Sequence, residues 1–139
     1  MVFGGLMYLL ELFLPVGEFD FFGRTWLAHM LLGLGILIIL VSVVQFRAAG
    51  TTTDPLLLEK TVSLVTGGIY KYSRNPMYLG MLLLLLSLGL YLGNAFNTLL
   101  AALFVSYMNR FQIKREEDRL FQRFGTEYSK YLKETRRWF

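Results

Sequence analysis

The sequence predicts an all-α integral membrane protein of about four transmembrane helices, followed by a C-terminal amphipathic helix lying along the interface. Three observations predict it. Hydrophobic residues make up 55% of the 139, too many for an ordinary soluble domain of that size. Long uncharged runs alternate with segments rich in threonine, glycine and proline. The charges are also unevenly spread, with basic residues concentrated on alternate sides of those runs.

A bilayer core is about 30 Å thick, and a helix crosses it in roughly 20 apolar residues. Met1 to Leu14 is short by that measure. As a helix it rises about 21 Å, and it carries Glu11. It has no basic n-region and no small-residue cleavage site, so it reads as a short first span rather than a leader. An interfacial or re-entrant segment is the alternative. Trp26 to Phe46 has full spanning length and holds His29 and Gln45 but no formal charge. A lone histidine there reads as an interfacial or satisfied buried group, not a base.

The segment from Arg47 to Asn75 contains GTTTDP and TGG, a turn-forming composition. Between them, LLLEKTVSLV is compatible with a short surface helix or an extended stretch. Asn75–Pro76 then opens the third helix. Asparagine is a favoured N-cap, and proline at the first helical position loses no intrahelical donor. The run from Met77 to Gly93 is apolar apart from Ser87. The Gly93–Asn94 connection is so short that the fourth helix, Ala95 to Met108, must return antiparallel beside the third. From Arg115 to Leu132, Leu120, Phe124, Tyr128 and Tyr131 recur at helical spacing among many charges. Gly125 weakens that helix in its middle.

Charge orients these spans. The Pro15–Thr25 loop holds Glu18, Asp20 and Arg24, whereas Arg47 to Arg74 holds four basic and two acidic residues. From Arg110 onward there are nine basic and five acidic residues. Basic segments stay cytoplasmic, so both termini are expected there. The net charge of +4 is therefore topology and not a nucleic-acid footprint. The chain has no cysteine, which excludes disulfides, thiolate catalysis and cysteine metal sites. No metal is expected, and the chain reads as one domain, 1–139.

The hairpin of the last two spans brings distant residues to one membrane face. YKYSRNPMYLG, from Tyr70 to Gly80, stands at the mouth of the third helix, and Arg115-Glu116-Glu117-Asp118 follows the fourth. Packed helices put these about 10 Å apart. One wall is a helix N-terminus suited to a carboxylate or phosphate. The other supplies carboxylates, suited to an ammonium, a sulfonium or a ribose hydroxyl. S-adenosylmethionine carries groups of both kinds. Each residue also has a plain reading. Lys71 and Arg74 serve as positive-inside anchors, the tyrosines as an interfacial belt, Gly80 as a helix-packing residue, and the glutamates as solvated partners of Lys114 or Arg119.

GIYKYSRNPMYLG, followed after a hydrophobic hairpin by REED and LFQRFGTEYSKYL, resembles the isoprenylcysteine carboxyl methyltransferase family, whose wider relatives include phospholipid N-methyltransferases. FRAAGTTTDP resembles an upstream element of the same family. The resemblance runs from about Gln45 to Tyr131, the cofactor half of the domain at about 45–131. It implies an integral membrane methyltransferase that uses S-adenosylmethionine, with its active site at the cytoplasmic face and a lipid, lipid-linked or other hydrophobic acceptor bearing a carboxylate or amine. By the same resemblance Tyr70, Arg74, Asn75, Pro76, Tyr78, Gly80, Glu116 and Glu117 are cofactor-binding. Asn75 stands where histidine is commoner, which puts any imidazolium role in doubt. No catalytic residue is assigned. Methyl transfer from a sulfonium asks for alignment and exclusion of water, not a protein nucleophile. Arg47, Arg136 and Arg137 are further cations available to an anionic head group. Two alternatives remain at this stage: an NADPH-dependent membrane sterol-reductase-like enzyme, which carries a similar R-[H/N]-P-x-Y element, and a non-enzymatic membrane scaffold.

Overall fold

Helix α2, Arg24–Ala48, is the longest element at 25 residues. At 1.5 Å per residue it extends about 37 Å, enough to cross a bilayer. Only Ala28, Gly35 and Ser42 along it are buried. These are all small, and they recur every seventh residue, so they form a single narrow stripe. Helix α3, Pro76–Leu92, presents a matching pair, Gly80 and Ser87, also seven residues apart. The two helices run antiparallel with the stripes in register. The Ser87 hydroxyl donates to the Ala28 carbonyl at 2.7 Å. One heptad further along, a Cβ at Gly35 would stand 2.9 Å from the Gly80 carbonyl oxygen. Small residues let the backbones approach this closely, and hydroxyls bonded to backbone carbonyls add a polar tie.

The coordinates are a computed structural model that describes residues 1–14, 17–49 and 63–139. The GTTTDP element and most of LLLEKTVSLV lie outside the described residues. Among the described residues every regular element is helical. One helix among the described residues, α2, is long and apolar enough to cross a membrane, while α1 (Val2–Phe13) and α3 are apolar but shorter. The third helix starts and stops where the sequence places it. Pro76 occupies its first turn, and Gly93 ends it in the left-handed region at φ 77°.

Beyond Gly93 the chain turns. The Asn94 side chain accepts from the Phe96 amide at 3.0 Å and donates to the Leu14 carbonyl at 3.0 Å. Helix α4, Asn97–Tyr107, then runs back along α3 and α1. It passes without a break through a π-helical turn, Met108–Ile113, into α5, Lys114–Glu134. At the far end of the bundle Phe3 of α1, Tyr78 of α3 and Trp138 each pack against a buried cluster of Phe104, Met108 and Ile113. The start of α1, the start of α3 and the end of α4 thus lie together.

Gly125 does more than weaken α5. Its backbone is at φ 50°, ψ −116°, and the helix bends there. That conformation is open to glycine and costly for residues with a Cβ. The bend turns Tyr128 and Tyr131, expected on the apolar face of an interfacial helix, onto Tyr70, and all three are buried. An alanine at 125 meets no atom within 4 Å, so its cost is conformational alone, roughly 1–3 kcal/mol. Gly125→Ala is expected to lower the thermal midpoint and to expose the tyrosine cluster to quenchers.

The crossing of α2 and α3 makes a second prediction. A Cβ at Gly80 would stand 2.5 Å from Ile39 Cγ1 and 2.8 Å from the Gly35 carbonyl oxygen. Backbone cannot yield as a flexible side chain does, so Gly80→Ala should cost roughly 1–3 kcal/mol. Gly33, in the same helix as Gly35, has open space around it. Gly33→Ala should leave the thermal midpoint level or raised, and equal losses at both positions would refute the close crossing.

Candidate functional site

The site forms where the mouth of α3 meets the start of α5. Tyr78, one turn into α3, donates its phenol proton to Glu116 Oε1 at 2.6 Å. Gln112, in the π-helical turn, donates to the same oxygen at 2.7 Å. Residues 38 apart in sequence therefore share one hydrogen-bonded cluster. Burial pushes the Glu116 carboxyl above the ordinary carboxylate range, against the lowering effect of its two donors and of Arg119 nearby. Desolvation disfavours the charged form and here outweighs the hydrogen bonds.

Glu117 turns to the other side of the mouth. Arg74 Nη2 lies 3.2 Å from Glu117 Oε1, with both side chains more than four-fifths buried. Arg137 meets the same carboxylate through two nitrogens, Nε to Oε1 at 3.0 Å and Nη2 to Oε2 at 2.6 Å. One carboxylate thus bridges two guanidiniums, leaving the trio with one net positive charge, and joins the motif to the end of the chain.

The residues after α5 complete this junction. Thr135–Arg137 run beside Lys71–Asn75. The Arg74 amide donates to the Arg136 carbonyl at 2.9 Å. The Asn75 side-chain amide donates to the Arg137 carbonyl at 3.0 Å. Asn75 sits at the N-cap position, yet its side chain makes no capping hydrogen bond. Instead it ties down the strand of chain that crosses in front of it. Trp138 reaches past to donate to Asn109 in the π-helical turn at 3.0 Å.

Tyr70 forms the floor with Tyr128 and Tyr131. The Tyr131 phenol donates to the Tyr70 carbonyl at 2.6 Å. Burial raises all three phenols, Tyr128 to about 12, so they remain protonated donors at neutral pH. Two donors in the site are spare. Among the described residues, Tyr70 Oη and Arg74 Nε are buried without a hydrogen-bond partner. Orphan donors beside a buried carboxylate match a ligand that carries both acceptor oxygens and positive charge. The residues present thus fit S-adenosylmethionine.

Of the eight residues predicted, the structure joins Arg74 to Glu117 and Tyr78 to Glu116, and places Tyr70 and Asn75 beside them. Pro76 is buried at the first turn of α3, and Gly80 is spent on the crossing with α2. A cavity of about 420 Å³ opens alongside, its rim carrying Lys71, Lys130, Glu127 and Glu134. Tyr72 is 78% exposed, in keeping with an interfacial belt. His29 bonds to the Thr25 carbonyl within α2 and takes no part. Sequence reasoning missed Gln112 and the buried Ser73, whose hydroxyl oxygen accepts from the Asn75 amide at 3.2 Å. A glutamine one helical turn before Glu116 was the available signal for the first. Arg137, read as a cation for head groups, is instead committed to Glu117.

The family model for phospholipid methyltransferase matches residues 23–127, a span that contains both motifs. A 62-residue stretch, 45% of this chain, is 47% identical to an uncharacterized protein of Haemophilus influenzae and covers 98% of it. A 70-residue stretch, 50% of this chain, is 40% identical to the protein-S-isoprenylcysteine O-methyltransferase of Schizosaccharomyces pombe. That match spans 30% of the yeast enzyme's length. No solved structure matches the chain significantly. Both halves of the tyrosine–glutamate cluster lie inside the matched span, and on that footing the chain belongs to the phospholipid methyltransferase family.

Proposed function

We propose that this protein is an integral membrane methyltransferase that passes the methyl group of S-adenosylmethionine to a hydrophobic or lipid-linked acceptor, a carboxylate or an amine, at the cytoplasmic membrane interface. The observation that carries the proposal is the Tyr78–Glu116 hydrogen bond at 2.6 Å, which unites two family motifs in one buried cluster. The family match favours this reading over a reductase or a scaffold. In the membrane, α1 to α4 traverse with alternating direction, both termini lie on the cytoplasmic side, and the Lys114–Glu134 helix follows the interface. The chain acts as one domain, with the cofactor half at about 45–131.

Bound S-adenosylmethionine supplies a methyl group already activated on a positively charged sulfur. Glu116 presents negative charge to that cation, and Tyr78 and Gln112 fix the carboxylate's direction. Arg74, oriented by Glu117, and Tyr70 offer their spare donors to carboxylate or ribose oxygens. The packed tyrosines and Trp138 keep water from the cluster. No side chain need act as a nucleophile, because the contribution asked of the protein is alignment, worth roughly 7–11 kcal/mol in favourable cases.

The test is transfer of radiolabel from S-adenosylmethionine with a labelled methyl group into a total membrane lipid extract, with the product identified by mass. Labelled lipid is the expected result. No binding of S-adenosylmethionine by calorimetry to protein in lipid nanodiscs would end the proposal.

A further inference from the structure

The opposite end of the bundle from Glu116 holds a second, separate cavity. It measures about 150 Å³, and its walls include Phe19, Leu31, Leu86, Gly89 and Asn97. Eleven residues of α3 separate Tyr78 from Gly89, about 17 Å along the axis, so this space is no part of the methyl-transfer site. Gly89 leaves the room, since a Cβ there would stand 3.2 Å from the Asn97 Cβ.

The surface facing the cavity is almost wholly apolar, with three polar side chains at its edge. Asn94 spends its amide on Phe96 and Leu14, and the Thr98 hydroxyl is bonded to the Ala95 carbonyl at 2.6 Å. Asn97 is different. It is 2% exposed, and among the described residues neither Nδ2 nor Oδ1 has a hydrogen-bond partner. A buried amide left with both its N–H donors and its carbonyl oxygen unmet is costly. Water is a poor remedy, because an ordered buried water needs two to four polar partners and the other polar groups here are engaged.

We propose that this cavity is a binding site for the polar end of a single-chain membrane amphiphile. Its ligand is a long-chain alcohol or an undissociated fatty acid, whose terminus donates one hydrogen bond to Asn97 Oδ1 and accepts one from Nδ2. The shape agrees. The volume takes roughly five water-sized groups, which is a polar terminus and the first few methylenes. The rest of the chain lies among the exposed apolar side chains of α2, Leu27 and Leu34 among them.

The experiment uses the full chain in lipid nanodiscs and reads the thermal unfolding midpoint as 1-dodecanol, dodecanoic acid, methyl dodecanoate or dodecane is added. Stabilisation of the wild type by several degrees is expected from dodecanol, dodecanoic acid or both, and the two arms identify the source. Methyl dodecanoate accepts without donating and should give a smaller shift, and dodecane none. Asn97→Leu should unfold at an equal or higher temperature without additive and lose the response. Leu86→Phe, which fills the cavity while keeping Asn97, should lose it too and guards against a folding defect in the first variant. Equal shifts from dodecanol and dodecane, an undiminished response in both variants, or no response in the wild type would each overturn the proposal.

Discussion

Glu116→Gln is expected to weaken S-adenosylmethionine binding by roughly 10- to 100-fold, the equivalent of one charge-assisted contact, while the protein folds and inserts normally. Glutamine keeps an oxygen for Tyr78 and Gln112 and loses only the charge. The pH dependence tests the same point. The Glu116 carboxyl sits above the ordinary range because it is buried, so in acid it is neutral and must ionise before it can attract a cation. Wild-type affinity should therefore rise with pH through the acidic range and level off once Glu116 is ionised, and the variant should lack that rise. Stability runs the other way. The folded state holds this proton more tightly than the unfolded state, so the Glu116 contribution is full below the ordinary carboxylate value and falls as pH climbs through the raised one. Isothermal titration in nanodiscs across the acidic to neutral range reads the affinity, and an unchanged affinity in Glu116→Gln would place the residue outside the ligand site.

Glu117→Ala should act on the fold itself. It leaves Arg74, 12% exposed, and the more open Arg137 facing each other with no shared anion. Breaking a buried pair by removing one partner costs on the order of 3 kcal/mol, since an uncompensated charge remains. For a chain of this length the midpoint should drop by roughly 10 °C. Removing Arg137 as well should recover part of that loss. In a double-mutant cycle the coupling should exceed about 1 kcal/mol, and strict additivity would show that the ion pair contributes little.

Much of this site was legible because two local rules fixed its position. Asn75–Pro76 starts α3 and Gly93–Asn94 reverses the chain, so the hairpin had to bring Tyr78 and Glu116 to one end. What stayed hidden depends on tertiary docking. The Thr135–Trp138 segment has no periodicity, and its Arg137 and Trp138 look like interfacial residues until Asn75 and Asn109 are seen to hold them. Gly125 announced a weak helix but not the direction of its bend, which follows from the docking of Tyr128 and Tyr131 on Tyr70. Gly80 lies inside a matched motif, yet its immediate neighbour is α2, a contact that no reading of α3 alone would reveal.

The wider turn at Met108–Ile113 also sets a counting rule for the gene. A π-helical turn accommodates an added residue within a helix, and each residue in an α-helix advances the spiral by about 100°. Trimming a single codon from that turn would let it relax to an ordinary α-helical turn with Glu116 still facing Tyr78, whereas adding one to a turn that already holds an extra residue would swing Glu116 around the rod. Between these two motifs a frame-preserving deletion within the turn should therefore do less harm than an insertion of the same size.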